Sequence, residues 1–284
     1  MIPAPFSYQR AGSIDEALAA LAGSDGSAKV IAGGMSILPL MKLRLASPGR
    51  LIDIGRLSEL RGSRPGADGS FEIGALTTYA EALEETSLSF ARDCLLGIGD
   101  VQVRNRGTVG GAIAHADPAS DLPALTLALD YSVVLRSQRG ERVVPIDGFF
   151  EDAFQTGIAA DELLVALRRG PLPAGAKGSY QKLEHPASGY SIVGVCAVVA
   201  RGEGAVTHAR VALTGVGQVA YRARAVEAAL LGGDGSPGSV AAAAERATDG
   251  QTVNGDVHAD SRYRARMAVV YTRRAIDAAL GRSV

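Results

Sequence analysis

The chain has no tryptophan, few aromatic residues and only two cysteines in 284 residues. A flat ligand would therefore be walled by backbone and aliphatic side chains. Cys94 and Cys196 lie far apart and neither sits in a C-x-x-C pattern, so the usual spacings build no iron–sulfur or zinc site. Two isolated cysteines read as small buried hydrophobes in a reducing compartment. The formal net charge is -1 and there is no basic block, which argues against nucleic acid as a partner. The start, Met1-Ile2-Pro3-Ala4-Pro5, has neither a basic n-region nor an apolar h-region, so no signal peptide is expected. The longest apolar run, Ile192 to Ala200, is too short for a transmembrane segment.

Glycine is plentiful, and two pairs of it end apolar runs. One is Ala32-Gly33-Gly34-Met35-Ser36, after Lys29-Val30-Ile31. The other is Thr108-Val109-Gly110-Gly111-Ala112, followed by Asp117-Pro118 and Asp121. A glycine pair permits positive φ and lets a ligand reach the amides. Successive bare N–H groups make an anion-binding concavity. The two pairs suggest one elongated, phosphate-bearing ligand held twice. An acid beside phosphate would repel it, so Asp121 is expected to accept from sugar hydroxyls. Asp117 and Asp121 also read as helix caps, with Ser120 as a further candidate.

Helices are expected after the capping patterns Ser13-Ile14-Asp15-Glu16 and Thr78-Tyr79-Ala80-Glu81. The first should end near Gly23, and Ser36 to Leu45 is expected to be partly helical. With strands at Lys29–Ile31 and Leu51–Ile54 they give a βαβ-like unit that places the first pair between strand and helix. Phe71–Ile73 reads as a strand, Ala91–Ile98 and Asp121–Leu129 as helices. Tyr131–Arg136 and Glu141–Pro145 read as a hairpin turned by Gln138-Arg139-Gly140. The cluster Gly170-Pro171-Leu172-Pro173-Ala174-Gly175 punctuates the chain as a linker. Beyond it, strands are expected at Ser179–Leu183, Ser191–Arg201 and Ala205–Leu213, then helices at Ala223–Leu230, Val240–Ala247 and Ser261–Leu280. That is a separate α+β unit with a three-stranded antiparallel sheet. Gly232–Ser239 reads as a surface loop. Arg262, Arg264, Arg266, Arg273 and Arg274 read as a solvated or partner-facing helix side.

Other patterns carry little. Gly215-Val216-Gly217-Gln218-Val219-Ala220 fits G-x-G-x-x-A, but no strand ending in an acid follows about 20 residues on, so a tight strand–helix turn is the better reading. The four histidines form no i,i+4 pair. His115 and Asp117 lack a serine in a nucleophile-elbow context.

Taken together, Ala32 to Lys42, Thr108 to Gly111 with Asp117-Pro118 and Asp121-Leu122-Pro123, and Lys182-Leu183-Glu184-His185-Pro186-Ala187-Ser188-Gly189-Tyr190 resemble the FAD-binding medium subunit of molybdenum hydroxylases, above all its carbon monoxide dehydrogenase type. The resemblance runs from Phe6-Ser7-Tyr8 to Arg273-Arg274-Ala275. It implies an α+β fold: a two-part FAD-binding domain of the vanillyl-alcohol-oxidase/PCMH type over residues 1–173 (parts of about 1–55 and 56–173), then a smaller α+β domain over 177–284.

The resemblance also implies roles. Ala32, Gly33, Gly34, Met35 and Ser36, with Ile37 beside them, would hold the FAD pyrophosphate. Thr108, Gly110 and Gly111, with Ala112 and Asp117 beside them, would hold the ribityl–pyrophosphate region, and Asp121 a hydroxyl. Ile98 and Leu164 match apolar contacts to the adenine or flavin ring. Lys182 matches a lysine near the isoalloxazine, where a cation stabilises anionic reduced flavin; the other reading is a solvated strand lysine. Tyr190 stands where some members place a tyrosine over the flavin and would gate acceptor access; the other reading is a core tyrosine. Met35 and Ala112 depart from the common pattern, where His or Gln and then Asn are frequent.

The function so implied is an FAD-carrying electron-transfer subunit. A large partner would carry the molybdenum–molybdopterin cofactor and a small partner the 2Fe–2S clusters, the whole forming a dimer of heterotrimers. Electrons would pass to an external acceptor, a quinone or another. The expected location is the cytoplasm, with the inner membrane face reached through partners. Two other readings remain: a self-contained FAD oxidoreductase of the PCMH fold acting on a small alcohol or amine, and a flavin-free assembly protein.

Overall fold

The computed structural model describes residues 2–24 and 26–283. In chain order the elements are β1 (Ser7–Arg10), α1 (Ile14–Ala22), β2 (Ala28–Ile31), α2 (Ile37–Lys42), β3 (Arg50–Asp53), β4 (Ser63–Pro65), β5 (Phe71–Gly74), α3 (Tyr79–Glu85), α4 (Ser89–Leu96), α5 (Val101–Arg104), α6 (Val109–His115) and α7 (Asp121–Ala128). Then come β6 (Ser132–Ser137), β7 (Gly140–Pro145), β8 (Phe150–Asp152), β9 (Gln155–Thr156), β10 (Leu163–Arg169), β11 (Lys177–Glu184), β12 (Ser191–Gly202), β13 (Ala205–Thr214), β14 (Tyr221–Arg222), α8 (Arg224–Leu230), α9 (Pro237–Ala244) and α10 (Ser261–Ala279).

Three main sheets follow one another along the chain. The first is parallel, in the order β1-β3-β2. Its α1 begins where the Ser13 hydroxyl accepts from the Glu16 amide at 3.1 Å. Glu16 answers on Gly12 N–H at 2.7 Å rather than on Ser13, so the expected box closes one residue early. The second sheet is antiparallel, β4-β5-β10-β6-β7. Here α3 carries the full box: Thr78 Oγ1 accepts from Glu81 N–H at 3.2 Å and Glu81 accepts from Thr78 N–H at 2.7 Å.

The third sheet is β11-β12-β13-β14, four strands instead of the expected three, because Tyr221 and Arg222 pair with Leu213 and Ala212. The G-x-G-x-x-A segment therefore leads into a strand rather than straight into a helix. The apolar run of β12 serves two cores. Val193, Val195, Ala197 and Val199 pack with α8, α9 and α10 residues, whereas Cys196 and Val198 pack with residues of the first 170. A strand covered on both faces reads as continuous hydrophobe. The core thus runs on past Gly170–Gly175, which joins β10 to β11. The Gly232–Ser239 stretch is a loop only to Ser236, which caps α9. Arg264 is no surface arginine: it is buried and donates to the carbonyls of Ile192 and Gly215 at 2.7 and 2.6 Å.

Candidate functional site

β2 and β3 are parallel neighbours, and their ladder ends where Ile54 N–H donates to Ile31 O at 3.0 Å. The chain then turns through Ala32–Ser36, with Gly34 at φ +79°. Among the described residues, the N–H groups of Gly33, Gly34, Met35 and Ser36 donate to no protein acceptor. The Ser36 hydroxyl sits at the N-cap of α2 without capping it. Gly33 is fixed by close approach: a Cβ there would stand 1.8 Å from Arg106 O. That contact brings the first glycine turn against the segment leading into the second.

The second pair works differently from expectation. Gly110 and Gly111 lie in the first turn of α6, neither at positive φ, and their amides are occupied. Gly110 N–H donates to Ala75 O at 2.9 Å and Gly111 N–H to Thr108 Oγ1 at 3.1 Å. The pair is therefore no second bare-amide cradle. Gly110 permits close packing, since its Cβ would stand 2.5 Å from Ala75 Cβ. Thr108 is the helix cap, and Ala112 is half-buried one turn on. Tyr79 N–H donates to Gly107 O and Val109 N–H to Thr77 O, so the start of α6 is tied to the start of α3.

Asp121 opens α7 and is 4% exposed. Its carboxylate accepts from Tyr180 Oη at 2.5 Å, Ser191 Oγ at 2.8 Å and Lys182 Nζ at 3.0 Å. Protein donors from β11 and β12 therefore converge on the carboxylate expected to accept from a sugar hydroxyl. Burial pushes this carboxyl up, against the pull of the lysine and the two hydroxyls. The Lys182 side chain is 9% exposed, so it is not a solvated strand lysine. Its Nζ also donates to Gly97 O at 2.9 Å. The second carboxylate oxygen, Asp121 Oδ1, also stands 3.0 Å from Nζ.

The neighbouring segment Asp117–Ser120 docks the sheet. Asp117 accepts from Ala119 N–H at 2.9 Å, while Pro118 O and Ser120 O accept from Thr214 Oγ1 at 2.7 and 2.8 Å. Tyr190 closes the β11–β12 loop, 47% exposed, so it is no core tyrosine. Gly189 of that loop lies beside Gly99, next to half-buried Ile98. Leu164 lies in β10, 5% exposed, and packs in the core. Met35 is exposed, and Ile37 and Ala32 are half-buried around the first turn. Sequence reasoning missed Tyr180, Ser191 and Gly97. Tyr180 did carry a signal, since residues two apart on a strand share a face with Lys182.

The comparisons with known proteins cover nearly the whole chain. Residues 4–169 match the family model "FAD binding domain in molybdopterin dehydrogenase" and residues 178–279 the model "CO dehydrogenase flavoprotein C-terminal domain". The chain belongs to the FAD-binding subunits of molybdopterin dehydrogenases. Within them it is a medium FAD subunit of the carbon monoxide dehydrogenase-like molybdenum hydroxylases, an oxidoreductase subunit whose cofactor is FAD. It is 39% identical to the carbon monoxide dehydrogenase medium chain of Hydrogenophaga pseudoflava, over 99% of each chain. A solved carbon monoxide dehydrogenase from that organism superposes with TM-score 0.95 at 39% identity, over 100% of each chain. Quinoline 2-oxidoreductase from Pseudomonas putida 86 superposes with TM-score 0.91 at 31% identity, over 99% of each chain. The residues fit the cofactor: an uncapped run of four N–H groups suits a pyrophosphate, and an enclosed cation suits an electron-rich ring.

Proposed function

We propose that this chain is the electron-transfer flavoprotein of a molybdenum hydroxylase complex. It would take electrons from 2Fe–2S clusters on a small partner and pass them to an external acceptor, a quinone or another. A large partner would hold the molybdenum–molybdopterin cofactor, and the assembly would be a dimer of heterotrimers. Carbon monoxide is the favoured substrate, supported by full-length identity to a carbon monoxide dehydrogenase medium chain. Residues 1–173 would form the FAD-binding part, in pieces of about 1–55 and 56–173, and residues 177–284 the second domain.

When bound, FAD supplies the chemistry, because it accepts electrons one at a time and stores two. The chain's own residues place it. The N–H groups of Gly33 to Ser36 would bind the pyrophosphate, with Ala32 and Ile37 shaping the turn. Thr108, Gly110 and Gly111 would set the backbone on which the ribityl–pyrophosphate region rests, beside Ala112 and Asp117. Ile98 would pack a ring. Lys182 would present its ammonium to the isoalloxazine, and Tyr190 would gate access from solvent.

What supports this reading is one chain, without iron–sulfur ligand spacing, that carries both a Gly33–Ser36 turn packed against the segment entering α6 and an enclosed Lys182 held by Asp121. Among the described residues no helix is long and apolar enough to cross a membrane. Purification from the native host tests it. Copurification with a molybdenum-containing large chain and an iron–sulfur small chain is expected. A yellow protein that turns over an alcohol or amine alone would replace the reading with the self-contained oxidoreductase.

A further inference from the structure

Asp121 has an expensive position for a single carboxylate. Burying a charge is costly unless it is paired and hydrogen-bonded. Three donors converge on it, and they come from strands 59 to 70 residues further along the chain. Space is kept for them as well. A Cβ on Gly194 would stand 2.5 Å from Tyr180 Oη and 2.9 Å from Ser191 Oγ, so a side chain there would displace both donors. The carboxylate and Gly97 O then hold Lys182 Nζ from two directions, at 3.0 and 2.9 Å. These acceptors fix where the ammonium sits.

We propose that Asp121, pinned by Tyr180 and Ser191, is a positioning residue that aims the Lys182 ammonium at the flavin and offsets its charge, so that the pair, not the lysine alone, sets the flavin's redox potential. This rests on the reading that Lys182 lies at the isoalloxazine. A lone cation beside the ring would favour the reduced, anionic form and raise the potential. An anion 3.0 Å from that cation weakens the pair's net field. The native potential is then lower than the lysine alone would give.

The test is a spectroelectrochemical titration of the flavin in the purified complex, for the native protein, Lys182→Met and Asp121→Asn. Lys182→Met is expected to lower the flavin midpoint potential and Asp121→Asn to raise it, each with flavin content retained. A lowered potential in Lys182→Met with an unchanged one in Asp121→Asn overturns the proposal and leaves Lys182 at the flavin. An unchanged potential in Lys182→Met instead refutes the placement of Lys182. If Asp121→Asn does not fold, Tyr180→Phe and Ser191→Ala carry the test, because both keep the two charges and cut the bonds that pin the carboxylate. Each is expected to displace the potential from its native value by less than Lys182→Met does. Native potentials in both overturn the proposal.

Discussion

The Arg106 carbonyl oxygen occupies the space a side chain on Gly33 would need, with 1.8 Å between that oxygen and the Cβ position. The obstacle is backbone, so it cannot rotate away. Gly33→Ala must push the first glycine turn off the segment entering α6. Overpacking of this kind costs about 1–3 kcal/mol, and here it falls on the cofactor cradle. The variant is expected to purify with much less flavin per chain than the native protein, as read by flavin absorbance against protein concentration.

Gly238 supplies the opposite case. It lies in α9, without positive φ, and a Cβ there meets nothing within 4 Å. Gly238→Ala is expected to stabilise the chain by about 0.5–1 kcal/mol. Urea unfolding should show a higher midpoint, with flavin content unchanged.

Arg222 holds the two halves of the chain together. Its side chain is 10% exposed, and it donates to Glu227 at 3.0 and 2.6 Å and lies 3.2 Å from Asp130 and 3.4 Å from Asp147. Glu227 also accepts from Val211 N–H at 3.0 Å. Glu227→Ala removes the main partner of a buried guanidinium, which costs about 3–5 kcal/mol. A fall of that size in unfolding free energy is expected; a change below about 1 kcal/mol would mean that Asp130 and Asp147 hold the arginine unaided.

Glu162 gives a pH signature. Hydrogen bonds from Arg142 at 2.6 and 2.7 Å, and one from Ala159 N–H, hold its carboxyl below the ordinary value of 4.5. The folded state therefore binds fewer protons than the unfolded one just below pH 4.5. Its contribution is present above that pH and is lost as pH falls through the lower folded value. Glu162→Gln is expected to be less stable at neutral pH and to lose part of the acid-limb slope in a stability–pH profile.

Much of this was legible in the sequence. The cap at Ser13, the box at Thr78, the βαβ-like unit and the C-terminal strand–helix order follow from period and capping chemistry. The misses have physical reasons. β1, β4, β8 and β9 are short and, unlike β2 and β3, carry no run of aliphatic residues to mark them. β10, Leu163–Arg169, is a buried run without alternation. Helix α6 contains two glycines, each costing about 1 kcal/mol against alanine, so its sequence reads as a loop. Contacts to Ala75 and Tyr79 decide otherwise. For Asp121, the sequence shows an acid at a helix start, and no local pattern announces Tyr180 and Ser191.

Whether this chain carries FAD for a molybdenum hydroxylase is read from the flavin and metal content of the complex purified from its native host, with the flavin released and identified. FAD equimolar with this chain is expected, together with molybdenum and iron on the copurifying subunits. FAD absent from the intact complex, or FAD on a chain that purifies alone without metal, would contradict it.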